Sequence, residues 1–322
     1  MERDIICNYE NLYKAYRKAK AGKVHNGSCE KFQIMSLEGL HILKEQLENQ
    51  TYRMNPYNEF VIYEPKERVI KSCSFKDKVV QHVFSDNILH PQLENEFIKC
   101  NYAGQVGKGT HFGMDCLKEH MLKFYEMHGT DGWILKCDIT KFFYQIEHEI
   151  LKDIVDYHFD DEYTRWINHL FIDSTDGLGL PLGNQVAQVY ALLMLNGLDH
   201  FITGELGIQF YGRYMDDFYL MHHDKNYLKG CLECIREMVE SFYYQVETVD
   251  DNAFRAFVKD GELDCLEVVR IVKAIVDGQN KANLRRWYKR RMKWIYHFHF
   301  EILDKQTIEI SFKSYKEYIQ TL

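Results

Sequence analysis

Phe210-Tyr-Gly-Arg-Tyr-Met-Asp-Asp-Phe-Tyr-Leu-Met-His222 sets two adjacent acids between aromatic and aliphatic flanks. The flanks read as two short strands, and Asp216-Asp217 falls at the tight turn between them. Two carboxylates beside buried strands cost desolvation energy unless a cation meets them. A hard divalent cation answers that need, because Mg²⁺ prefers carboxylate oxygen and takes few protein ligands. The plain alternative is a polar hairpin turn, since Asp is a common turn residue. Other stretches of the chain weigh against that alternative.

The chain has 322 residues, enough for two or three subdomains around a sizeable core. Its 46% hydrophobic and 27% charged content is an ordinary soluble balance. No apolar run approaches the roughly 20 residues of a membrane span, so no membrane partner is expected. Met1-Glu-Arg-Asp-Ile-Ile-Cys7 lacks the apolar core of a signal peptide, and a cytoplasmic location with reduced thiols is the expectation. Cys231-Leu-Glu-Cys234 has metal-like spacing, but it falls in a helical pattern without a second Cys or His pair, which favours buried structural cysteines over zinc. The net charge of −8 argues against a basic surface coat. A local stripe does stand out: Lys281, Arg285, Arg286, Lys289, Arg290, Arg291 and Lys293, with no acid among them. Such a stripe can follow phosphates even on an acidic protein.

Helical periodicity covers residues 9–49, with Phe32 to Leu47 as a second helix and a flexible break at 20–27. Phe60 to Ile70 reads as strand, turn and strand, presenting Lys66 and Arg68 at its end as a grip for a triphosphate. Phe75 to Leu89 reads as a helix that leaves Asp77 and His82 without a role. Asn101-Tyr-Ala-Gly-Gln-Val-Gly-Lys-Gly-Thr110 is a Gly-rich basic loop before a helix, suited to phosphate but lacking P-loop spacing. Trp133 to Asp138 reads as a buried strand ending in an acid, a good place for a metal ligand. A turn and helix come next, with Ile146 and Ile150 on the apolar face. Gly177 to Gln188 is a Gly/Pro loop running into an apolar helix from Val189 to Leu198. Residues 226–244 form an amphipathic helix, 245–280 have no legible period, and 281–300 form a basic aromatic helix.

The order of these blocks carries a resemblance: Asp138 after a strand, Leu180-Pro-Leu-Gly183, then Tyr214-Met-Asp-Asp217. Over about residues 10–245 the chain resembles reverse transcriptases. Pro65-Lys66-Glu-Arg68 and Phe75-Lys-Asp-Lys-Val-Val-Gln-His82 look like the fingers of that family. Leu180-Pro-Leu-Gly-Asn-Gln-Val-Ala-Gln188 is most similar to enzymes of diversity-generating retroelements, which favour an aliphatic residue after the Pro; Ala187 stands where they usually carry Ser.

The resemblance implies an α+β right-hand polymerase without RNase H. It divides the chain into N-terminal helices and fingers (1–130), a palm with the catalytic motifs (131–250) and a primer-grip region with a short helical thumb (251–322). It implies Asp138, Asp216 and Asp217 as catalytic carboxylates holding two Mg²⁺, with Mn²⁺ as a possible substitute and Ile139 beside the metals. Lys66 and Arg68 would hold the triphosphate, and Phe143 would be the gate against a ribose 2′-hydroxyl. Leu182, Gly183, Gln188, Tyr214 and Met215 would lie against the dNTP and template. The basic stripe at 281–293 would track the RNA/DNA duplex. Expected partners are template RNA, dNTPs and a small basic accessory protein oligomer, which would answer the −8 charge.

Leu182 replaces the Gln common in other reverse transcriptases, which points to relaxed fidelity at template adenines. Asp264-Cys-Leu-Glu267 lacks the Gly of the family's primer grip. That departure favours an alternative, an anti-phage defence reverse transcriptase with protein-primed or untemplated synthesis; a second alternative, an inactive RNA-binding scaffold, is opposed by the intact Asp138, Asp216 and Asp217.

Overall fold

The computed structural model describes residues 2–22, 27–63 and 67–240, and the backbone of 246–253, 258–259 and 262–263. Contacts divide the chain into two units. The first spans 1–61 and 68–275; the second spans 62–67 and 276–322, of which Ile62, Tyr63 and Glu67 are described.

In the first unit, helices accompany a four-stranded antiparallel sheet and smaller two-stranded ones. Strands β1 (Asn58–Ile62) and β2 (Arg68–Ser72) form a two-stranded sheet. Strands β3 (Trp133–Ile139), β4 (Phe210–Tyr214), β5 (Asp217–His222) and β6 (Val246–Ala253) form a four-stranded sheet in the order β4-β5-β3-β6. The central β3 reads Trp-Ile-Leu-Lys-Cys-Asp-Ile, and Ile134 through Cys137 are buried, as a strand covered on both faces requires. It pairs antiparallel with β5 from Trp133↔His222 to Cys137↔Phe218, and with β6 through a register shift between Lys136 and Cys137. The extra residue of that shift is Val249 on β6, so β3 itself keeps its alternation from Lys136 to Asp138.

The helix Gln185–Met194 buries every residue except Gln185 and Gln188. A helix apolar almost all round belongs inside the core. It starts four residues before the expected Val189 and stops at Met194, with Asn196–His200 as a separate short helix. The cause is Asn184, whose extended backbone ends the loop directly before Gln185, so two glutamines sit on the first turn. The helix Lys225–Glu240 buries Leu228, Cys231, Leu232, Ile235 and Val239, the spacing of an amphipathic helix. Cys231 is therefore core, while Cys234 is exposed.

Two other expectations change. The second N-terminal helix is divided at Met35 into Gly27–Ile34 and Ser36–Glu48. Ile146 sits in an extended link between Phe142–Gln145 and His148–His158, buried but not on a helix face. Asp77, left without a role by sequence, is a structural acid. It is fully buried and accepts hydrogen bonds from Tyr52 Oη (2.6 Å), Ser74 Oγ (2.7 Å) and the Asn55 amide (3.2 Å). The expected basic stripe at 281–293, the segment 264–267 and Lys66 lie outside the described residues.

Candidate active site

The β4–β5 hairpin closes at the pair Tyr214↔Asp217, which leaves Met215 and Asp216 as a two-residue turn. Met215 has φ +57°, the positive value that primed hairpin turns need at their first position. Glycine or asparagine usually takes it, and a larger side chain costs about 1–2 kcal/mol there. At the other end of β3, the Ile139 amide donates to the Asp216 carbonyl at 3.3 Å. That bond sets the end of β3, and so Asp138, against the turn. The apolar strand and the acidic hairpin, far apart in sequence, thus present three carboxylates to one another.

Burial dominates the electrostatics of Asp216 and Asp217. Burial pushes the Asp216 carboxyl up to about 6, and the negative charge of Asp138 adds to the shift. A backbone hydrogen bond and the charges of Arg68 and Arg213 oppose it without cancelling it. Burial likewise raises Asp217 to about 7, against the pull of Lys136 and with repulsion from Asp216 and Asp138. Lys136 is itself buried, and its Nζ stands 3.2 Å from Asp217 Oδ1. Lys136 lies two positions before Asp138, and alternation along a strand sends both to one face. Sequence reading passes over this lysine, although a charge inside a run as apolar as Trp133–Ile139 is the available signal.

Among the described residues, no three His, Cys, Asp or Glu side chains converge as a ready ligand set for a metal. The donor chemistry nevertheless fits a hard divalent cation. Three mutually repelling carboxylates, two of them raised by burial, gain most from added positive charge, and oxygen is the ligand such cations take.

Three further segments connect to the turn or to one another. The first runs from 177 to 184. Leu180 donates its amide to Phe143 O at 2.7 Å and Gly179 to Ile146 O at 2.8 Å. Gly179 has φ +80°, and a Cβ there would stand 2.9 Å from the Tyr144 carbonyl, so only glycine permits this approach. Phe142 is core and Phe143 is half-buried at the edge of it. Leu182 is half-buried, while Gly183 and Gln188 are exposed.

The second segment is β2, joined to the loop by the Lys71 amide donating to Leu182 O at 3.2 Å. Arg68 at its start carries one of the charges that act on Asp216. The third is the Gly-rich loop at 101–109. A Cβ on Gly104 would lie 3.6 Å from Met215 Cε and 3.7 Å from Gln188 Cβ. Tyr214 and Met215 are half-buried. Of the expected residues, Asp138 and Arg68 act on Asp216 through their charge, and Gln188 lies with Met215 around Gly104; Phe143, Leu182 and Gly183 are tied to one another and to β2 through the 179–183 loop.

Comparison with known proteins gives a family match. The model of reverse transcriptase (RNA-dependent DNA polymerase) matches residues 62–248. Among curated proteins no sequence matches this chain. Similar solved structures include telomerase from Candida albicans in complex with a TWJ fragment of telomeric RNA, with TM-score 0.47 and 12% identity over 62% of this chain and 42% of that one. Apo telomerase from Candida tropicalis truncated from its C-terminal domain gives TM-score 0.46 and 11% identity over 67% and 55% of the two chains. This chain covers about half the length of those telomerase chains.

Proposed function

We propose that this chain, which belongs to the reverse transcriptase (RNA-dependent DNA polymerase) family, copies template RNA into DNA at the Met215-Asp216 turn. The observation that supports the reading is that burial and the negative charge of Asp138 raise the carboxyls of Asp216 and Asp217. Asp138 and Asp216 would hold a pair of Mg²⁺ ions, or Mn²⁺ in their place, with Ile139 beside them and Asp217 in support. Bound there, such ions supply activation of a primer 3′-hydroxyl and stabilisation of the departing pyrophosphate.

The chain's own residues do the rest. Lys136 keeps a positive charge on Asp217 and so orients it. Arg68, whose charge acts on Asp216, would grip a triphosphate, and the sequence pairs Lys66 with it in that role. Phe143 fills the space a ribose 2′-hydroxyl would need. Leu182, Gly183, Gln188, Tyr214 and Met215 shape the pocket for the nascent pair. Lys281, Arg285, Arg286, Lys289, Arg290, Arg291 and Lys293 would track the duplex through phosphate contacts, which carry no sequence information. Four-stranded sheet, β1–β2 hairpin and C-terminal region take the parts of palm, fingers and thumb.

Within the family, the diversity-generating retroelement reading rests on Leu182. An aliphatic side chain beside the nascent pair fills space without the polar check of a glutamine. The net charge of −8 further calls for a small basic accessory protein to approach RNA. The test is Mg²⁺-dependent extension of an RNA-templated primer, with products sequenced at template adenines. Wild type should extend with errors concentrated there, and Leu182→Gln should lower them. An unchanged error spectrum in Leu182→Gln removes the mutagenic reading. Synthesis without template or primer moves the chain to the defence enzymes.

A further inference from the structure

Beneath the catalytic turn lies a cation that nucleotidyl transfer does not use. Arg213 is 0% exposed, as is Asp199, and the two form a fork of hydrogen bonds: Nε to Oδ1 at 2.6 Å and Nη2 to Oδ2 at 2.5 Å. Tyr211 Oη adds 2.7 Å to Oδ1 and Asn101 Nδ2 adds 3.3 Å to Oδ2, so both carboxylate oxygens are doubly satisfied. A bidentate pair of this kind fixes the guanidinium plane and leaves its outer nitrogen aimed in one direction. That nitrogen, Nη1, donates to the Met215 carbonyl at 2.8 Å. Met215 is one of only three non-glycine residues with positive φ among the described residues, and it immediately precedes Asp216.

Backbone stitching around the same arginine fixes it further. The Arg213 amide donates to Cys100 O and the Tyr102 amide to Arg213 O, both at 2.9 Å, which makes a short parallel bridge between Asn101 and Arg213. The cation is therefore held by a side-chain fork and by backbone on both sides before it reaches the turn. A strained backbone residue persists only where its surroundings over-determine it, and here a bond from a locked guanidinium joins the Tyr214–Asp217 pairing and the Ile139–Asp216 bond in fixing the turn.

We propose that Arg213, set by Asp199, is the positioning residue of the active site: its Nη1 bond holds Met215 in the left-handed conformation and thereby fixes the place of the Asp216 carboxylate. This rests on the polymerase reading for its functional consequence but not for its structural one. A lysine at 213 keeps the charge opposite Asp199 and loses the planar fork that reaches Met215. The clamp thus separates from the ion pair.

Two measurements test it. Amide hydrogen exchange read by mass spectrometry compares wild type with Arg213→Lys. The clamp requires exchange of the Met215–Phe218 amides to rise by roughly tenfold or more, while the β3 amides stay as protected as before. Primer extension is then read in Arg213→Lys, Met215→Gly and the double variant. Arg213→Lys should slow extension about tenfold or more. Glycine accepts positive φ without the clamp, so Met215→Gly should recover roughly fivefold in the Arg213→Lys background that it does not give in the native one. An ion pair that only stabilised the core would not be rescued in this way. Unchanged exchange at 215–218 overturns the clamp, and so does an equal effect of Met215→Gly in both backgrounds. If wild type makes no DNA, the polymerase reading fails and the exchange arm still decides the clamp.

Discussion

Acids on the two sides of β4 illustrate opposite uses of a buried carboxylate. Asp199 is fully buried and each of its oxygens accepts two hydrogen bonds, from Arg213, Tyr211 and Asn101. Asp77 obeys the same rule with Tyr52, Ser74 and Asn55. Asp216 and Asp217 are half-buried and feel the negative charge of Asp138, and Lys136 stands at ion-pair distance from Asp217. Burial raises both, where a matched pair would lower them. Compensated acids hold the fold; under-compensated ones wait for charge brought by something else. An electrostatic deficit at these two acids, set against the satisfied Asp199 and Asp77, adds a physical mark to the motif.

The largest way to break this contrast is Asp216→Asn. Primer extension should fall on the order of a thousandfold or more, because several kcal/mol of transition-state stabilisation pass through this carboxylate. Stability should move the other way. The folded pKa of Asp216, about 6, is above the ordinary 3.8, so the native state carries a charging penalty that is absent below pH 3.8 and complete above pH 6. Removing the charge should therefore stabilise the protein in EDTA by up to about 3 kcal/mol at pH 8 and by little at pH 4. Urea denaturation at both pH values checks the sign. A loss of stability at pH 8 would show that Asp216 is compensated after all.

The mirror experiment is Asp199→Asn. It leaves the Arg213 guanidinium buried without its anion, a change that costs about 3–5 kcal/mol. The denaturation midpoint should drop accordingly at every pH from 6 to 9. If the drop is under 1 kcal/mol, Asp199 does not belong with the fold-holding acids.

A third effect separates a buried base from both kinds of acid. His120 takes its Nδ1 to Tyr219 Oη at 2.9 Å, and Tyr219 Oη meets Tyr102 Oη at 2.7 Å. Burial pushes this imidazole down to about 4. Stability from the neutral ring is then complete above pH 6.5 and is lost as pH falls toward 4, by up to about 3 kcal/mol. His120→Gln, which hydrogen-bonds without titrating, should flatten that acid limb while matching wild type near pH 8. An unchanged limb would assign acid sensitivity elsewhere.

Much of the site is readable in the sequence because its residues obey local rules that the core also needs. The Asp pair at a hairpin tip, Asp138 at the end of an apolar strand and the Gly/Pro loop before an apolar helix each carry their own pattern, and the fold only has to bring them together. Lys136 is legible in principle, as a charge inside Trp133–Ile139. The Arg213–Asp199 clamp is not, since its members are 14 residues apart with a helix end and a loop between them, and nothing in periodicity pairs them. The strand β6 escapes for a different reason. Val246–Ala253 reads Val-Glu-Thr-Val-Asp-Asp-Asn-Ala, too acidic to look like a strand, and its place beside β3 comes from the partner strand. The start of the helix at 185–194 is hidden because Gln185 and Gln188 resemble loop until the neighbouring side chains are seen to be buried.

The smallest prediction asks whether the Gly-rich loop belongs to the fold or to the site. Gly104 and Gly107 have similar positive φ, +58° and +75°, so alanine at either should cost about 1 kcal/mol through the backbone alone. Their surroundings differ. Nothing lies within 4 Å of a Cβ on Gly107, whereas a Cβ on Gly104 would stand 3.2 Å from Leu192 Cδ1 and 3.6 Å from Met215 Cε. Gly107→Ala should therefore shift the melting temperature by only a few degrees and leave the rate of primer extension near wild type. Gly104→Ala should lose a similar or slightly larger stability and also slow extension several-fold, because the added methyl presses on the residue before Asp216. Equal activities in the two variants would detach the loop from the catalytic turn and return it to the fold-holding half of the molecule.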